Sequence, residues 1–222
     1  MIVLSLGGSL IAPAGIDIAF LARLRTLLLA QVRQGKRFLV VCGGGATARS
    51  YQQAAHRLAD VPAEELDLIG IQATRLNAHL LRAGLGSLAH PAILASSQRV
   101  KTDKPVVVAA GWKPGNSTDY VAVALAKAYK CKSLLNLTNV DYVCTRDPNR
   151  YPDAAPLKDL TWKGYHDLFG LAWKPGMHAP FDPAAAALAR SARLPVIILN
   201  GTNIPNLEKC LDGKPFEGTT IR

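Results

Sequence analysis

Short runs of apolar residues alternate along the chain with longer stretches in which apolar residues recur at helical spacing. Short apolar runs are typical of buried strands, and here they lie at residues 2–6, 37–42, 105–110, 133–137 and 195–199. The longer stretches predict helices at residues 17–34, 46–58, 65–83, 118–129 and 183–193. Because strands and helices alternate, we predict an α/β fold: a three-layer αβα sandwich with a largely parallel central sheet.

The first predicted helix shows the clearest boundaries. Asp17 is the residue type that caps a helix N-terminus, and Gly35 is the type that ends one. The apolar face of this helix is predicted to consist of Ile18, Leu21, Leu24, Leu28 and Val32.

The 222 residues are enough for one domain with a sizeable core, and we predict a single domain over residues 1–222. Hydrophobic residues make up 49% and charged residues 19%, which is a globular balance. No apolar run reaches the roughly 18–20 residues that a membrane helix needs. The apolar start has neither the basic region nor the cleavage site of a signal peptide. We therefore expect a cytoplasmic protein with no membrane partner.

The formal net charge of +10 favours anionic partners such as nucleotides. The basic residues are spread along the chain, and the densest stretch, Arg146 to Arg150, is short, so we predict no nucleic-acid partner. Cysteine pairs of the CxxC type are absent, which gives no support for a zinc or redox motif and favours free thiols. The four cysteines are Cys42, Cys131, Cys144 and Cys210.

Glycine-rich loops follow three of the predicted strands, at Gly7-Gly8-Ser9, at residues 43–45 and between Gly111 and Gly115. Ligands bind at the carboxyl ends of the strands in open α/β sheets, and glycine lets backbone amides approach an anion closely. Three such loops in the same topological position indicate a site for a polyphosphate. The sequence contains no P-loop signature, and no dinucleotide fingerprint follows the first strand.

These loops resemble those of the amino-acid kinase superfamily, and further segments resemble the UMP kinases of the archaeal type. Those segments are residues 67–78 (DLIGIQATRLNA), 111–119 (GWKPGNSTD), 138–141 (TNVD) with Asp147-Pro148, 181–183 (FDP) and 218–221 (GTTI). They occur in the order of the family and reach from end to end of the chain. The resemblance implies a homohexamer that phosphorylates UMP to UDP with ATP and Mg²⁺ in pyrimidine biosynthesis. It also implies an acceptor-binding part at roughly residues 1–130 and an ATP-binding part at roughly residues 131–222.

The resemblance carries residue roles onto the matching positions. On the UMP side it places Gly44, Arg49, Asp67, Gly111 and Thr118. On the ATP side it places Gly7, Gly8, Ser9, Gly45, Thr138, Asn139, Asp141, Asp147 and Pro148. The catalytic residues that it implies are Asp119, Asp182 and Lys174. It assigns no residue as a metal ligand, and phosphoryl transfer of this kind depends mainly on positioning and charge neutralisation.

Local structure offers an alternative explanation for several of these residues. Asp67, Thr118 and Asp119 lie near predicted helix starts, where such residues cap the helix or complement its dipole. The residues from Asn139 to Asp141 would otherwise form an ordinary turn. Two basic residues would otherwise be solvated side chains, Arg49 and Lys174.

The chain departs from the family pattern at its first loop. Many members carry a lysine one or two residues before the first Gly-Gly, whereas here Ser5 and Leu6 precede Gly7. The candidate replacements for that cation are Lys113, Lys174 and Arg146. Further departures lie near the two nucleotide sites, at Trp112, Tyr142 and Cys144. Two other functions stay open: a kinase of the same fold for another small molecule, and a nucleotide-binding protein without catalysis.

Overall fold

The computed structural model describes residues 1–148, 150–170 and 179–222. The strands are β1 (Ile2–Leu6), β2 (Phe38–Cys42), β3 (Val106–Ala109), β4 (Leu134–Thr138), β5 (Val143–Cys144), β6 (Pro156–Leu157), β7 (Asp159–Leu160), β8 (Val196–Asn200) and β9 (Thr219–Ile221). The helices are α1 (Gly8–Ile11), α2 (Ile18–Arg33), α3 (Gly45–Leu58), α4 (Ala63–Leu85), α5 (Thr118–Ala128), α6 (Trp162–Phe169), α7 (Pro183–Ser191) and α8 (Ile204–Leu211).

The central sheet has the strand order β3-β2-β1-β4-β8-β9-β7. From β3 to β8 every neighbouring pair is parallel, so their carboxyl ends meet at one edge. β9 runs antiparallel to β8, and β7 runs parallel to β9. β5 and β6 form a separate two-stranded antiparallel ribbon. The largely parallel sheet expected from the alternating pattern is confirmed.

Helices cover both faces of the sheet, because successive side chains of a strand point to opposite faces. Val3 of β1 belongs to a core that also contains residues of α5, α6 and α7. Leu4 and Leu6 belong to a second core, which contains residues of α2, α4 and α8. The fold is therefore the predicted three-layer sandwich. None of the helices in the described ranges is both long and apolar enough to cross a membrane.

All ten elements predicted from the apolar pattern are present, with ends displaced by at most two residues. Within α2, Asp17 caps the helix as expected, because its carboxylate accepts a hydrogen bond of 2.8 Å from the Phe20 amide. The predicted apolar face is wrong at Ile18, whose surface is 75% exposed. Most residues of α2 are apolar, so the period alone did not locate the buried stripe, which runs through Phe20, Leu24, Leu27, Leu28 and Gln31.

Candidate active site

The first two glycine loops touch each other backbone to backbone at the carboxyl edge of the sheet. A Cβ on Gly8 would lie 2.0 Å from the Gly45 nitrogen, and one on Gly45 would lie 2.2 Å from the Gly8 oxygen. Gly45 also has a φ of 63°, which disfavours any other residue. The loop-to-loop contact itself therefore requires these glycines. Gly44 and Gly45 open α3, where the first amides have no acceptor within the helix.

Helix α4 holds the third glycine loop in place through two side chains. The Gly111 amide donates to the Thr74 hydroxyl at 2.9 Å, and the Gly115 amide donates to the Asp67 carboxylate at 2.8 Å. Because α4 begins at Ala63, Asp67 lies beyond its first turn, and the interpretation of Asp67 as a cap is wrong. Asp67 instead fixes the far end of the loop.

Asn77 of α4 reaches the second glycine loop. Its amide nitrogen donates to the carbonyl oxygens of Gly43 at 2.8 Å and Gly44 at 3.1 Å. One helix thus sets the relative positions of two of the three loops.

These loops enclose a cleft of about 280 Å³, which we call the acceptor-side cleft. All five residues predicted on the UMP side line it: Gly44, Arg49, Asp67, Gly111 and Thr118. Gly45, placed on the ATP side from the sequence, lines it as well, together with Lys113. The cleft therefore combines two cations with one carboxylate, which suits an anion that also carries hydroxyl groups.

Asp119 lies at the start of α5, but it does not cap this helix. The cap is Ser117, whose hydroxyl accepts a hydrogen bond of 3.1 Å from the Tyr120 amide. Thr118 and Asp119 are the first two helical residues, so their interpretation as caps is wrong. The Asp119 carboxylate is directed to other elements of the fold.

Three elements meet at the Asp119 carboxylate. One of its oxygens accepts a hydrogen bond of 2.8 Å from the Ser5 hydroxyl on β1, and the other accepts one of 3.2 Å from the Asp182 amide. Burial raises the pKa of Asp119 to about 6; these two hydrogen bonds oppose the rise, and the nearby Asp182 charge adds to it. Within the described residues, the donors that hold the Asp119 carboxylate are therefore uncharged.

Asp182 caps α7, because its side chain accepts a hydrogen bond of 2.8 Å from the Ala185 amide. The structure thus brings Asp119 and Asp182 together, although 63 positions separate them along the chain. The segment before Asp182 is fixed from two sides. Asn136 of β4 donates to the Pro180 carbonyl at 2.9 Å, and the Tyr165 hydroxyl of α6 donates to the Phe181 carbonyl at 2.5 Å.

A second cleft, of about 720 Å³, has Pro180 in its lining, two positions before Asp182, and we call it the donor-side cleft. Four residues predicted on the ATP side line it: Thr138, Asn139, Asp147 and Pro148. Arg146 also lines it, and its guanidinium lies 3.6 Å from Asp153 and 5.2 Å from the centre of the Tyr151 ring.

The other predicted residues of the ATP side lie elsewhere. Asp141 accepts a hydrogen bond of 3.0 Å from the Asn200 side chain, outside the described lining of the donor-side cleft. Gly7 donates its amide to the Leu137 carbonyl at 2.9 Å, and Gly8 and Ser9 begin α1.

The third predicted catalytic residue, Lys174, lies outside the described residues.

Sequence reasoning did not assign site roles to Ser5, Thr74, Asn136 and Tyr165. For Ser5 a signal existed, since Ser5 and Leu6 occupy the two positions at which the family resemblance would place a lysine. The partners of the other three come from distant parts of the chain, so the local sequence carried no signal.

Comparisons with known proteins place the chain in a family. The model of the amino acid kinase family matches residues 1–200. Uridylate kinase from Methanothrix thermoacetophila is 36% identical, with 100% of this chain and 99% of the relative covered. Uridylate kinase from Methanosarcina barkeri is also 36% identical, with 100% and 95% covered. The crystal structure of uridylate kinase from Archaeoglobus fulgidus superimposes with a TM-score of 0.83 at 29% identity and covers 100% of this chain and 99% of that one.

The chain therefore belongs to the amino acid kinase family. Within this family, its likeness in sequence and in structure is to uridylate kinases over the full length of the chain.

Proposed function

We propose that this protein is a UMP kinase, which transfers the γ-phosphoryl group of ATP to the phosphate of UMP and releases UDP and ADP. Two separate clefts, each lined by a chain neighbour of the carboxylate pair, carry this proposal. Thr118, next to Asp119, lines the acceptor-side cleft, and Pro180, close to Asp182, lines the donor-side cleft. Such an arrangement suits a reaction between two bound anions better than hydrolysis of one.

The acceptor-side cleft offers partners for the phosphate and the ribose of UMP. Arg49 and Lys113 are the cations of this cleft, and guanidinium groups bind phosphate in a bidentate way. One oxygen of Asp67 holds the Gly115 amide, and because Asp67 lines the cleft, the other would accept a hydrogen bond from a ribose hydroxyl. Thr118 adds a hydroxyl beside Asp119. These partners suit a nucleoside monophosphate, and the likeness to uridylate kinases makes UMP the acceptor we assign.

The donor-side cleft would hold ATP, with Arg146 and the Thr138–Asn139 pair near the phosphates. The chemistry that magnesium would supply, when bound together with ATP, is neutralisation of phosphate charge. In the part of the chain that is described, no three His, Cys, Asp or Glu residues cluster to hold a metal. The two central carboxylates already accept three hydrogen bonds. This set fits an ion held by phosphate oxygens and water, so we assign it no direct protein ligand.

The transfer itself requires no strong base. An oxygen of the UMP phosphate, already ionised, attacks the γ-phosphorus, and the bond from that phosphorus to the bridging oxygen of ADP breaks. With a pKa of about 6, Asp119 is mostly ionised at pH 7.5, and its negative charge would hold cationic groups between the two clefts. Catalysis then comes from alignment and charge neutralisation.

An ADP-release assay with MgATP and each nucleoside monophosphate in turn tests this function. Turnover selective for UMP is expected, and Asp119→Asn is expected to lower kcat by at least about 100-fold. Arg49→Ala is expected to raise KM for UMP by about 10- to 100-fold, the loss expected for a charged hydrogen bond. Arg57→Ala, on the same helix and exposed, is the matched control and should change neither constant.

The alternatives predict different results in the same assay. ATP binding without turnover of any monophosphate would replace the proposal with a non-catalytic nucleotide-binding protein. Turnover only with another small acceptor, together with insensitivity to Asp67→Asn, would point to a different kinase of the same fold.

We also propose that the protein is a homo-oligomer, a hexamer by resemblance. Helices α3 and α4 pack together and expose apolar side chains that a second copy would cover. Leu58 is 86%, Leu76 63% and Tyr51 68% exposed. Sedimentation should show a hexamer that Leu76→Lys dissociates, and a wild-type monomer would overturn this proposal.

The proposed reaction belongs to pyrimidine nucleotide synthesis in the cytoplasm. All four cysteines are free thiols, which is the usual state in a reducing compartment. Fractionation of cells that contain the protein tests this location. Recovery of the protein in the secreted fraction would contradict it.

A further inference from the structure

We propose that Tyr165 is a positioning residue for the phosphoryl-transfer site: its hydroxyl fixes the Phe181 peptide groups and thereby sets the Asp182 amide against Asp119. The proposal rests on the kinase function for its catalytic part. It assigns to helix α6 a role in the reaction through the backbone next to Asp182.

The Tyr165 hydroxyl makes both of its hydrogen bonds with one residue. It donates to the Phe181 carbonyl at 2.5 Å and accepts from the Phe181 amide at 3.0 Å. A single hydroxyl therefore fixes the peptide groups on both sides of the Phe181 Cα. Phe181 is fully buried, so neither of its peptide groups has water as a substitute partner.

The Tyr165 side chain is itself held in place. It is fully buried, its ring centre lies 4.8 Å from that of Phe169, and it packs edge-on against Trp162 at 6.3 Å. Burial raises the pKa of the hydroxyl, and the Asp119 and Asp182 charges act in the same direction. The hydroxyl thus stays protonated and donates to the carbonyl at every working pH.

The fixed position of Phe181 determines, through the backbone, where the Asp182 amide lies. Asp182 follows Phe181 directly, and its amide donates to Asp119 at 3.2 Å. Asn136 fixes the preceding residue through the Pro180 carbonyl at 2.9 Å. Asn136 is also the register partner of Ser5, the other donor to Asp119. The positions of the two donors to Asp119, the Ser5 hydroxyl and the Asp182 amide, are therefore both set by the paired strands β1 and β4.

A phenylalanine at position 165 would fill nearly the same volume, so its effect isolates the hydroxyl. Without the hydroxyl, the Phe181 carbonyl and amide lose their partner inside the protein, and the segment must move to find others. Displacements of about 1 Å at a phosphoryl-transfer site lower rates by up to about 100-fold. Binding of UMP and ATP, which depends on other residues, is expected to change little.

The test compares Tyr165→Phe with Tyr129→Phe in the full-length protein. Tyr129 is the matched control, because its hydroxyl also accepts from a backbone amide, that of Val100 at 2.9 Å, at the far end of α5. We expect Tyr165→Phe to lower kcat by about 10- to 100-fold, with both KM values within about twofold. Tyr129→Phe should leave kcat within about twofold although it loses the same kind of hydrogen bond.

A kcat for Tyr165→Phe equal to that of the control, with the variant folded, would overturn the catalytic part of the proposal. Asn136→Leu is a second variant that acts on the same segment. Its loss and that of Tyr165→Phe should be less than additive in the double variant, and full additivity would contradict a shared mechanism.

Amide hydrogen exchange tests the fixation without any substrate. Tyr165→Phe should lose protection in the peptide that spans residues 180–186, whereas Tyr129→Phe should keep it. Unchanged protection there would overturn the proposal even in an active enzyme. Absence of UMP turnover in the wild type would instead reject the kinase function. The hydrogen-exchange result would then still show whether Tyr165 fixes the Phe181 segment.

Discussion

Asp119→Asn is expected to inactivate the protein and at the same time to stabilise it at neutral and alkaline pH. The structure gives the reason. Burial raises the pKa of Asp119 from 3.8 to about 6, so the folded state holds this proton more tightly than the unfolded state does. Above pH 6 the Asp119 side chain is ionised in both states. The buried charge then lowers the free energy of unfolding, that is, it destabilises the folded protein.

The magnitude follows from the difference between the two pKa values. Each unit corresponds to about 1.4 kcal/mol, so the cost of the ionised carboxylate is about 3 kcal/mol above pH 6. The cost decreases as the pH falls from 6 to 3.8 and is absent below 3.8, where both states are protonated. An asparagine has no charge to bury. Its oxygen keeps the hydrogen bond from the Asp182 amide, and its nitrogen donates to the Ser5 hydroxyl.

Urea unfolding of wild type and Asp119→Asn at pH 8 and pH 4.5 measures this effect. We expect the variant to be more stable by about 1–3 kcal/mol at pH 8, with a smaller gain at pH 4.5. Comparison at each pH cancels all other titrations. The control is Asp159→Asn, whose exposed ion pair with Arg222 should contribute less than about 1 kcal/mol. A variant that is no more stable than the wild type at pH 8 would refute the reasoning.

Three further predictions concern the loops and the chain ends. Gly8→Ala should abolish folding as followed by circular dichroism, because its Cβ would meet the Gly45 backbone, whereas Gly84→Ala, with open space around it, should raise stability by about 0.5–1 kcal/mol. Asp67→Asn should raise KM for UMP more than it lowers kcat, since the acceptor loop keeps its Gly115 contact through the amide oxygen; an unchanged KM would argue against a ribose contact. Hydrogen bonds to the Asp212 carboxylate lower its pKa to about 2, so this group stabilises the fold fully above pH 3.8 and loses its effect as the pH falls through about 2. Asp212→Asn should remove this stabilisation. Acid titration of unfolding by fluorescence would show the difference between variant and wild type, and identical profiles would contradict the prediction.

The sequence predicted the central sheet and its major helices because these elements repeat a clear apolar pattern. It did not predict β5, β6, β7 or β9, which have two or three residues each and carry no periodicity. It also did not predict α6 or α8. In α6, a glycine and polar residues interrupt the apolar spacing, and the helix is stabilised by packing of Trp162 and Tyr165 in the core.

Within the candidate site, the sequence predicted which segments meet but not how their side chains are used. Ser117, Thr118 and Asp119 are three consecutive residues of capping type, and local reasoning had no means to choose among them. The Asp119 carboxylate is used instead to accept from the Ser5 hydroxyl, which is 114 positions away in the chain. Asp67 was equally ambiguous, until the Gly115 amide showed that its carboxylate faces a loop.

Serine occupies position 5, one of the two positions at which the family resemblance would place a lysine, the other being Leu6. The hydrogen-bond donors that reach Asp119 within the described residues are a hydroxyl and a backbone amide, both uncharged. A lysine in that position would lower the pKa of Asp119 by pairing with it, whereas the serine leaves the pKa raised at about 6. The candidate sources of compensating positive charge are the substrates, Lys174, and the cleft linings, which contain Lys113 in one cleft and Arg146 in the other. We therefore expect a basic residue near Asp119 to matter more here than the donors Ser5 and Asp182, which hold the carboxylate without neutralising it.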